Sequence, residues 1–422
     1  MGCSKNLVDS EVLMGRMKAA GYKVIHQDAM EHADVAIINT CGFIEDSIVE
    51  NIRQIMEITN AKNHGIVKKV IVMGCLVQRF KEQLELEIPE VDKFYGVDEM
   101  EQILHDLGTE YRQELLGERM LTTPQHYAYL KIAEGCDRNC SFCIIPKIRG
   151  KNKSKSIEEL VNETKYLVKQ GVKEVILIAQ DTTRYGVDLY GKNSLADLLK
   201  TLEKVEGLHW IRLQYTYPDK SLYEVLEVMK NSNKICHYLD IPLQHINDSI
   251  LQSMKRGHSK KIICDLLDSF RNDIPDIAIR TTLITGYPGE GQTEFEELKS
   301  FIRQYRFERL GVFAFSPEEG TEAAKLTDNL PANVKEDRVS EIMELQKDIS
   351  RQTNLKKIGK TFKAIVDRKE DDTWVLRSQY DSPEVDTEIY AKDHPSLKEG
   401  QFVNIRITAA DDYDLYGEVA EK

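Results

Sequence analysis

Residues 134–143 read EGCDRNCSFC and place Cys136, Cys140 and Cys143 in a C-x3-C-x2-C pattern. They follow a predicted strand, Tyr127–Ala133, so the three thiols belong to one loop. A structural zinc site takes four ligands, and the nearest histidine precedes that strand. Three thiolates leave one iron of a four-iron cluster open to a further ligand. The spacing therefore favours an iron–sulfur cluster with an open iron over a zinc loop.

The cysteine loop opens a repeat of strand-and-helix units. Predicted strands are Tyr127–Ala133, Glu174–Ala179, Trp210–Leu213, His237–Ile241, Ala278–Ile284 and Arg309–Phe315. Predicted helices are Ile157–Lys169, Ser194–Lys204, Leu222–Lys230, Lys260–Arg271 and Thr293–Tyr305. This count indicates a central partial (β/α)6 barrel of the TIM type, whose chemistry lies at the carboxyl ends of its strands. Polar or unusual pairs stand at those ends: Gln180-Asp181, Tyr215-Thr216, Gln244-His245, Thr285-Gly286 and Ser316-Pro317.

The region before the barrel predicts a parallel α/β domain. Helices are expected after a cap at Asp9 or Ser10 and after Ser47, with strands at Val35–Asn39 and Val67–Met73. Three cysteines in this region each adjoin a glycine and follow a strand or strand-like position: Cys3, Cys41 and Cys75. Because the ends of parallel strands share one edge of a sheet, these thiols can converge on a second site. Three separate buried cysteines are the alternative.

The region after the barrel shows short β-like segments: Thr361–Val366, Thr373–Ser378, Phe402–Thr408 and Tyr416–Val419. Together with glycine and proline punctuation they predict a small antiparallel β-barrel. The expected fold is therefore α/β with three domains, at 1–119, 122–351 and 357–422.

Composition narrows the class of protein. The chain has 422 residues, 41% of them hydrophobic, and a net charge of -13 from 57 basic and 70 acidic residues. No apolar segment approaches the roughly 20 residues of a membrane span. We therefore expect a cytoplasmic protein. In that compartment, eight cysteines are better explained by metal binding or redox chemistry than by disulfide bonds. The acidic balance makes nucleic acid an unlikely partner.

The cysteine loop and the repeat together resemble the radical S-adenosylmethionine superfamily. The resemblance implies one [4Fe-4S] cluster on Cys136, Cys140 and Cys143 that binds and cleaves S-adenosylmethionine. It also implies that Phe142 contacts the cofactor, and that the residues at the ends of two barrel strands do so too: Gln180, Asp181, Thr285 and Gly286. The segment Ala179-Gln180-Asp181 departs from the superfamily's common Gly-Gly-Glu form.

The strings GCSKNLVDSE, NTCGFI and GCLVQR, which begin at Gly2, Asn39 and Gly74, resemble the methylthiotransferases, and GCSKNLVDSE resembles their RimO branch. The resemblance implies a TRAM-like C-terminal barrel and a second [4Fe-4S] cluster on Cys3, Cys41 and Cys75. It further implies methylthiolation of the β-carbon of an aspartate in small-subunit ribosomal protein S-twelve. One S-adenosylmethionine donates the methyl group and another yields the radical, so no acid–base pair or nucleophilic residue is assigned a catalytic role. A one-electron donor is required but not identified.

The net charge of the C-terminal region distinguishes between a protein substrate and an RNA substrate. Residues 357–422 contain 10 Lys and Arg against 15 Asp and Glu. An acidic barrel suits a basic ribosomal protein better than RNA. Much of the charge comes from Asp371, Asp372, Asp381, Asp386, Asp411, Asp412 and Asp414. Two alternatives stay open: a transfer RNA adenosine methylthiotransferase of the MiaB type, and a non-catalytic iron–sulfur or zinc protein of ribosome assembly.

The start of the chain departs from the family pattern. The methylthiotransferases have a strand that leads into the first cysteine, whereas this chain begins Met1-Gly2-Cys3. We therefore expect Cys3 to lie on a frayed terminus, which would make the cluster on Cys3, Cys41 and Cys75 less stable.

Overall fold

The computed structural model describes residues 2–26, 32–108, 119–328 and 330–420. These residues form a three-stranded parallel sheet, a six-stranded parallel sheet, a closed five-stranded barrel and a small two-stranded ribbon. The order along the chain is the expected one: a parallel α/β region, the strand-and-helix repeat, and the C-terminal barrel.

The N-terminal sheet contains β1 (Ala33–Thr40), β2 (Val67–Gly74) and β3 (Lys93–Tyr95), in that order. Around it lie the helices α1 (Ser4–Ala19), α2 (Glu45–Asn63), α3 (Cys75–Glu87) and α4 (Met100–Asp106). The inner strand β2 is almost wholly buried from Val70 to Gly74, as expected for a parallel strand covered on both faces. Cys41 and Cys75 each follow directly on the carboxyl end of a neighbouring strand.

The expected helix starts in this domain are wrong. Helix α1 begins after Cys3, whose carbonyl accepts the first helical bond from the amide of Leu7, at 3.1 Å. Asp9 does not cap it, because its carboxylate is paired with Lys131 and the buried Arg149, and the hydroxyl of Ser10 accepts from Asn39 instead. Helix α2 likewise begins two residues before Ser47.

The central region supplies strands β4–β11 and helices α5–α13. The strands are β4 (Tyr127–Lys131), β5 (Ala133–Glu134), β6 (Lys153–Ser154), β7 (Glu174–Ile178), β8 (Trp210–Leu213), β9 (Ile235–Asp240), β10 (Ala278–Thr285) and β11 (Arg309–Ala314). The helices are α5 (Ile145–Arg149), α6 (Ile157–Lys169), α7 (Val187–Tyr190), α8 (Leu195–Leu202), α9 (Leu222–Lys230), α10 (Asp248–Ser253), α11 (Lys260–Asp273), α12 (Gln292–Tyr305) and α13 (Ala332–Leu355). The six-stranded sheet runs in the order β11-β10-β9-β8-β7-β4, which is the expected partial (β/α)6 barrel.

The two faces of this sheet differ in chemistry. Alternate residues of a strand point to opposite faces. One set, which includes Leu130, Val175 and Ile211, packs with the surrounding helices in one continuous apolar core. The other set, on the concave face, carries buried charges such as Glu174 and Arg212, whose side chains are 2.7 Å apart. Buried charges require partners, so the concave face must be covered by polar groups from elsewhere in the chain.

The C-terminal barrel contains β12 (Thr361–Glu370), β13 (Thr373–Ser378), β14 (Ile389–Lys392), β15 (Phe402–Ala410) and β16 (Leu415–Val419). It closes in the order β12-β13-β14-β16-β15. Four of its strand pairs are antiparallel, whereas β14 and β16 are parallel. The sequence analysis did not predict β14, a strand of four residues.

The segment between β13 and β14 covers the concave face of the central sheet. Arg212 donates to the carbonyl of Gln379 at 2.7 Å, and Tyr238 donates to Asp386 at the same distance. Asp381 is fully buried and pairs with Arg309. The expectation that Asp381 and Asp386 contribute to an acidic surface is therefore wrong, because both neutralise cations inside the molecule.

Candidate functional site

The loop of Cys136, Cys140 and Cys143 is held from several sides. The amide of Cys136 donates to the carbonyl of Gly150 at 3.0 Å, and that of Cys143 donates to Cys140 at 3.1 Å. Ser141 is anchored by its hydroxyl, which lies 2.8 Å from both the carbonyl of Ser253 and the hydroxyl of Tyr287. The loop is thus positioned at the carboxyl end of β4, where a parallel barrel places its chemistry.

Two of these thiols are strongly perturbed. Burial, together with the neighbouring Cys140 and Cys136, raises the pKa of Cys143 to about 12. Burial also raises the pKa of Cys136 to about 11, against the effect of the Arg138 amide, whose N–H lies 3.4 Å from the sulfur. The guanidinium of Arg256 lies 3.4 Å from the sulfur of Cys140. The three thiols influence one another electrostatically, and N–H donors are already in place for a charged sulfur.

The thiols of Cys3, Cys41 and Cys75, which form the first set along the chain, meet at the start of α1. The sulfurs of Cys3 and Cys75 lie 3.9 and 3.8 Å from the Oδ1 atom of Asn6. Burial raises the pKa of Cys75 to about 11, and the neighbouring Cys3 and Cys41 add to the increase. A Cβ atom on Gly42 would lie 2.7 Å from the Cα of Leu76, so the chain just after Cys41 touches the chain just after Cys75.

Arg149 joins the two sets of thiols. Its guanidinium donates to the sulfur of Cys75 at 3.3 and 3.2 Å, and to Asp9 and Glu134 at 2.9 Å each. Only 5% of Arg149 is exposed. Burial alone would raise the pKa of Glu134, but Lys131 and Arg149 outweigh it and lower that pKa to about 2. The first set of thiols and the strand that leads into the second set are therefore parts of one buried ionic network.

The donor set fits iron–sulfur clusters. Bound metal deprotonates a thiol outright, which compensates for the raised pKa values, and N–H donors to sulfur are the usual surroundings of such clusters. Among the described residues, no three His, Cys, Asp or Glu side chains surround a position for a single metal ion. A four-iron cluster is a larger group, in which each thiolate binds its own iron.

Comparison with known proteins decides the family. Family models match at residues 1–96 (Uncharacterized protein family UPF0004), 130–302 (Radical SAM superfamily) and 358–420 (TRAM domain). The ribosomal protein uS12 methylthiotransferase RimO of Flavobacterium psychrophilum is 53% identical over 422 residues, which are 100% of this chain and 96% of that protein. The RimO of Phocaeicola vulgatus is 50% identical over 99% of this chain and 98% of its own length. The chain belongs to the RimO family of radical S-adenosylmethionine methylthiotransferases.

Solved structures support the fold. The radical S-adenosylmethionine methyltransferase TsrM from Kitasatospora setae, with cobalamin and a [4Fe-4S] cluster bound, gives a TM-score of 0.54. The match covers 74% of this chain and 72% of that one at 12% identity, so it supports the architecture alone. The family implies one [4Fe-4S] cluster and S-adenosylmethionine, as the sequence indicated. None of the helices in the described ranges is both long and apolar enough to cross a membrane.

The structure places Gln180 and Asp181 at the carboxyl end of β7, beside the cysteine loop. Gln180 donates to Glu134 at 2.6 Å, and its buried Oε1 atom has no hydrogen-bond partner among the described residues. Asp181 is 3% exposed and accepts from Arg138 at 2.7 Å. The Oε1 atom of Gln180 thus lacks a partner within the described ranges, whereas Asp181 is committed to an arginine.

Thr285 and Gly286 are also engaged within the protein. The hydroxyl of Thr285 and the amide of Gly286 donate to Glu290 at 2.8 and 2.9 Å. His245 shares this carboxylate at 3.1 Å and accepts from the amide of Asn247 through its other ring nitrogen. These contacts fit a structural role for His245. Gly286 has a φ of 74°, which favours glycine.

Phe142 packs in an apolar cluster with Ile250, Met254 and Tyr287, which fixes the loop between two of the cysteines. At the first set of thiols, sequence analysis assigned a role only to the cysteines. Arg149 followed the cysteine loop but had no distinguishing pattern, because its sulfur contact is 74 residues away along the chain. A long-range contact of this kind leaves no mark on local spacing.

Proposed function

We propose that this chain transfers a methylthio group to the β-carbon of an aspartate in ribosomal protein uS12, the small-subunit protein S-twelve. The names of its full-length relatives support the substrate. The observation that carries the chemistry is the Arg149 network, which holds Cys75 and the start of the Cys136 loop together. A reaction that joins a sulfur-bearing group to a carbon radical needs both sites to be close.

We assign a [4Fe-4S] cluster to each set of three thiols: Cys136, Cys140 and Cys143 for one, and Cys3, Cys41 and Cys75 for the other. When bound, the clusters supply the electron that cleaves S-adenosylmethionine to a 5′-deoxyadenosyl radical and hold the sulfur that is transferred. The protein's part is to place these groups and to exclude water. The buried guanidinium of Arg149 keeps the sulfur of Cys75 in position through two hydrogen bonds.

Five residues are assigned to binding of S-adenosylmethionine: Phe142, Gln180, Asp181, Thr285 and Gly286. Gln180 has the most direct role, since its free Oε1 atom can accept from the cosubstrate's amino group. Asp181 orients Arg138, whose guanidinium lies 3.8 Å from the ring centre of Tyr217. Thr285 and Gly286 fix a strand end through Glu290, and Phe142 fixes the cysteine loop.

The C-terminal barrel is assigned to recognition of basic uS12. Asp371, Asp372 and Asp411 are exposed, and Asp412 and Asp414 are partly exposed. They remain an acidic surface after the buried Asp381 and Asp386 are set aside. Such a surface attracts a basic protein and repels the phosphates of RNA. An enzyme that modifies a ribosomal protein would work in the cytoplasm. Cleavage of S-adenosylmethionine would also require a one-electron donor.

The test is mass spectrometry of a mixed reaction. The protein is reconstituted anaerobically with iron and sulfide, then given reductant, S-adenosylmethionine, small-subunit ribosomal proteins and bulk transfer RNA. The proposal predicts a methylthio-sized mass gain on one aspartate of uS12, and none with the Cys140→Ala variant. A gain on an adenosine instead would assign the chain to RNA modification and contradict the role of the acidic barrel.

A further inference from the structure

Lys5 is a buried cation next to the first set of thiols. It lies in the first turn of α1, two residues after Cys3, and is 6% exposed. The next residue, Asn6, ties this turn to the end of β1 by donating to the carbonyl of Thr40 at 2.9 Å. The position of the lysine is therefore set by the same contacts that place the first thiols.

Among the described residues, no carboxylate pairs with the ammonium of Lys5. Three lysines of the described residues are less than 10% exposed, and the other two, Lys299 and Lys335, each pair with a carboxylate. Within the described ranges Lys5 forms no ion pair; its contact is with the ring of Tyr215, whose centre is 2.8 Å from Nζ. A cation–π contact compensates only part of the cost of burying an ammonium.

The nearby carboxylates are already committed. Asp9 pairs with Lys131 and Arg149. Asp240 accepts from Arg280 at 3.0 Å and from the amide of Tyr215 at 2.9 Å. Neither of these two carboxylates is available to pair with Lys5.

The location of this charge is the mouth of the barrel. Tyr215 follows the carboxyl end of β8 and has a φ of 57°, a left-handed conformation that its bond to Asp240 helps to hold. Its hydroxyl lies 3.4 Å from the hydroxyl of Ser4, so the first turn of α1 leans over the strand end. The ammonium of Lys5 thus lies where the first turn of α1 meets the carboxyl end of a barrel strand.

We propose that Lys5 binds the side-chain carboxylate of the target aspartate and thereby holds its β-carbon at the barrel mouth. This inference rests on the proposed function, which requires a carboxylate beside the reacting carbon. An ammonium balanced by a bound carboxylate gains a charge-assisted hydrogen bond and loses the penalty of unpaired burial. Lys5 is then a specificity-determining residue that distinguishes an aspartate from a neutral side chain.

The test compares binding of two forms of uS12 to the reconstituted enzyme without S-adenosylmethionine, so that no turnover occurs. One form is native, and the other has asparagine at the aspartate that mass spectrometry identifies as modified. Asparagine keeps the shape and removes the charge. We expect the wild-type enzyme to bind the aspartate form about tenfold more tightly or better, since a buried charged hydrogen bond is lost with asparagine.

The variant Lys5→Met should bring this ratio close to one while retaining the iron of both clusters, and Lys5→Arg should keep most of the preference. Lys18→Met, which removes an exposed lysine from the same helix, is the matched control and should keep the wild-type ratio. If Lys5→Met binds the two forms of uS12 with the wild-type ratio, the role of Lys5 is overturned and the proposed function is not. The role of Lys5 is also overturned if the variant loses iron but still prefers the aspartate form. Failure of the wild-type enzyme to modify uS12 overturns the proposed function and this inference with it.

Discussion

Replacing Arg149 with methionine should loosen the contact between the N-terminal domain and the barrel. The guanidinium is 5% exposed and lies 2.9 Å from the carboxylates of both Asp9 and Glu134. Removing one partner of a buried ion pair costs about 3–5 kcal/mol. Lys131 still contacts both carboxylates, so we expect the lower end, about 3 kcal/mol. This corresponds to roughly a hundredfold increase in the population of the opened contact.

Hydrogen exchange measured by mass spectrometry reports this change locally. Exchange over the first turns of α1 should accelerate by roughly a hundredfold in Arg149→Met, whereas β7 and β8 should keep their protection. Arg184→Met is the control, because Arg184 is 32% exposed and 3.9 Å from its carboxylate, and a pair of this kind contributes little. Unchanged exchange in α1 of Arg149→Met would refute the claim that this network holds the two domains together.

Three further results are expected. Cys140→Ala should abolish formation of 5′-deoxyadenosine, and continued formation would contradict the cluster assignment. Burial and two neighbouring arginines lower the pKa of His258 to about 3, below its unfolded value, so its contribution to stability is complete above about pH 6.5 and falls as the pH drops towards 3. Denaturation should therefore show a loss of about 2 kcal/mol at pH 5 that His258→Phe removes, and an equal loss in the variant would refute this. Asp381→Asn should lower the unfolding free energy by about 3 kcal/mol because it leaves Arg309 buried without its carboxylate, whereas Asp372→Asn should change it by less than about 0.5 kcal/mol; equal effects would contradict the buried pairing.

Local pattern predicted much of the architecture. The barrel strands were expected within a few residues because buried parallel strands appear as short apolar segments between helical periodicities. Cys41 and Cys75 were correctly placed after neighbouring strands, since an apolar segment ends just before each. The proximity of the first thiols to the barrel was not predicted, because it depends on the contact between Arg149 and Cys75, 74 residues apart.

Structural features that depend on contacts between residues far apart in the sequence were predicted poorly. The first helix starts at Ser4 and not after Asp9, because Asp9 is drawn into a pair with Arg149, 140 residues away. Asp381 and Asp386 looked like surface acids, since composition does not distinguish an exposed carboxylate from one buried against an arginine. Lys5 carried no signal at all, because a lysine's isolation from carboxylates is visible only in three dimensions.

The most direct test of the account is the iron content of the reconstituted protein, checked by Mössbauer spectroscopy. Wild type should contain about eight iron atoms per chain as two [4Fe-4S] clusters. The triple variants Cys3→Ala/Cys41→Ala/Cys75→Ala and Cys136→Ala/Cys140→Ala/Cys143→Ala should each retain about four. A wild-type content of about four, unchanged when the first three cysteines are replaced, would contradict the two-cluster site.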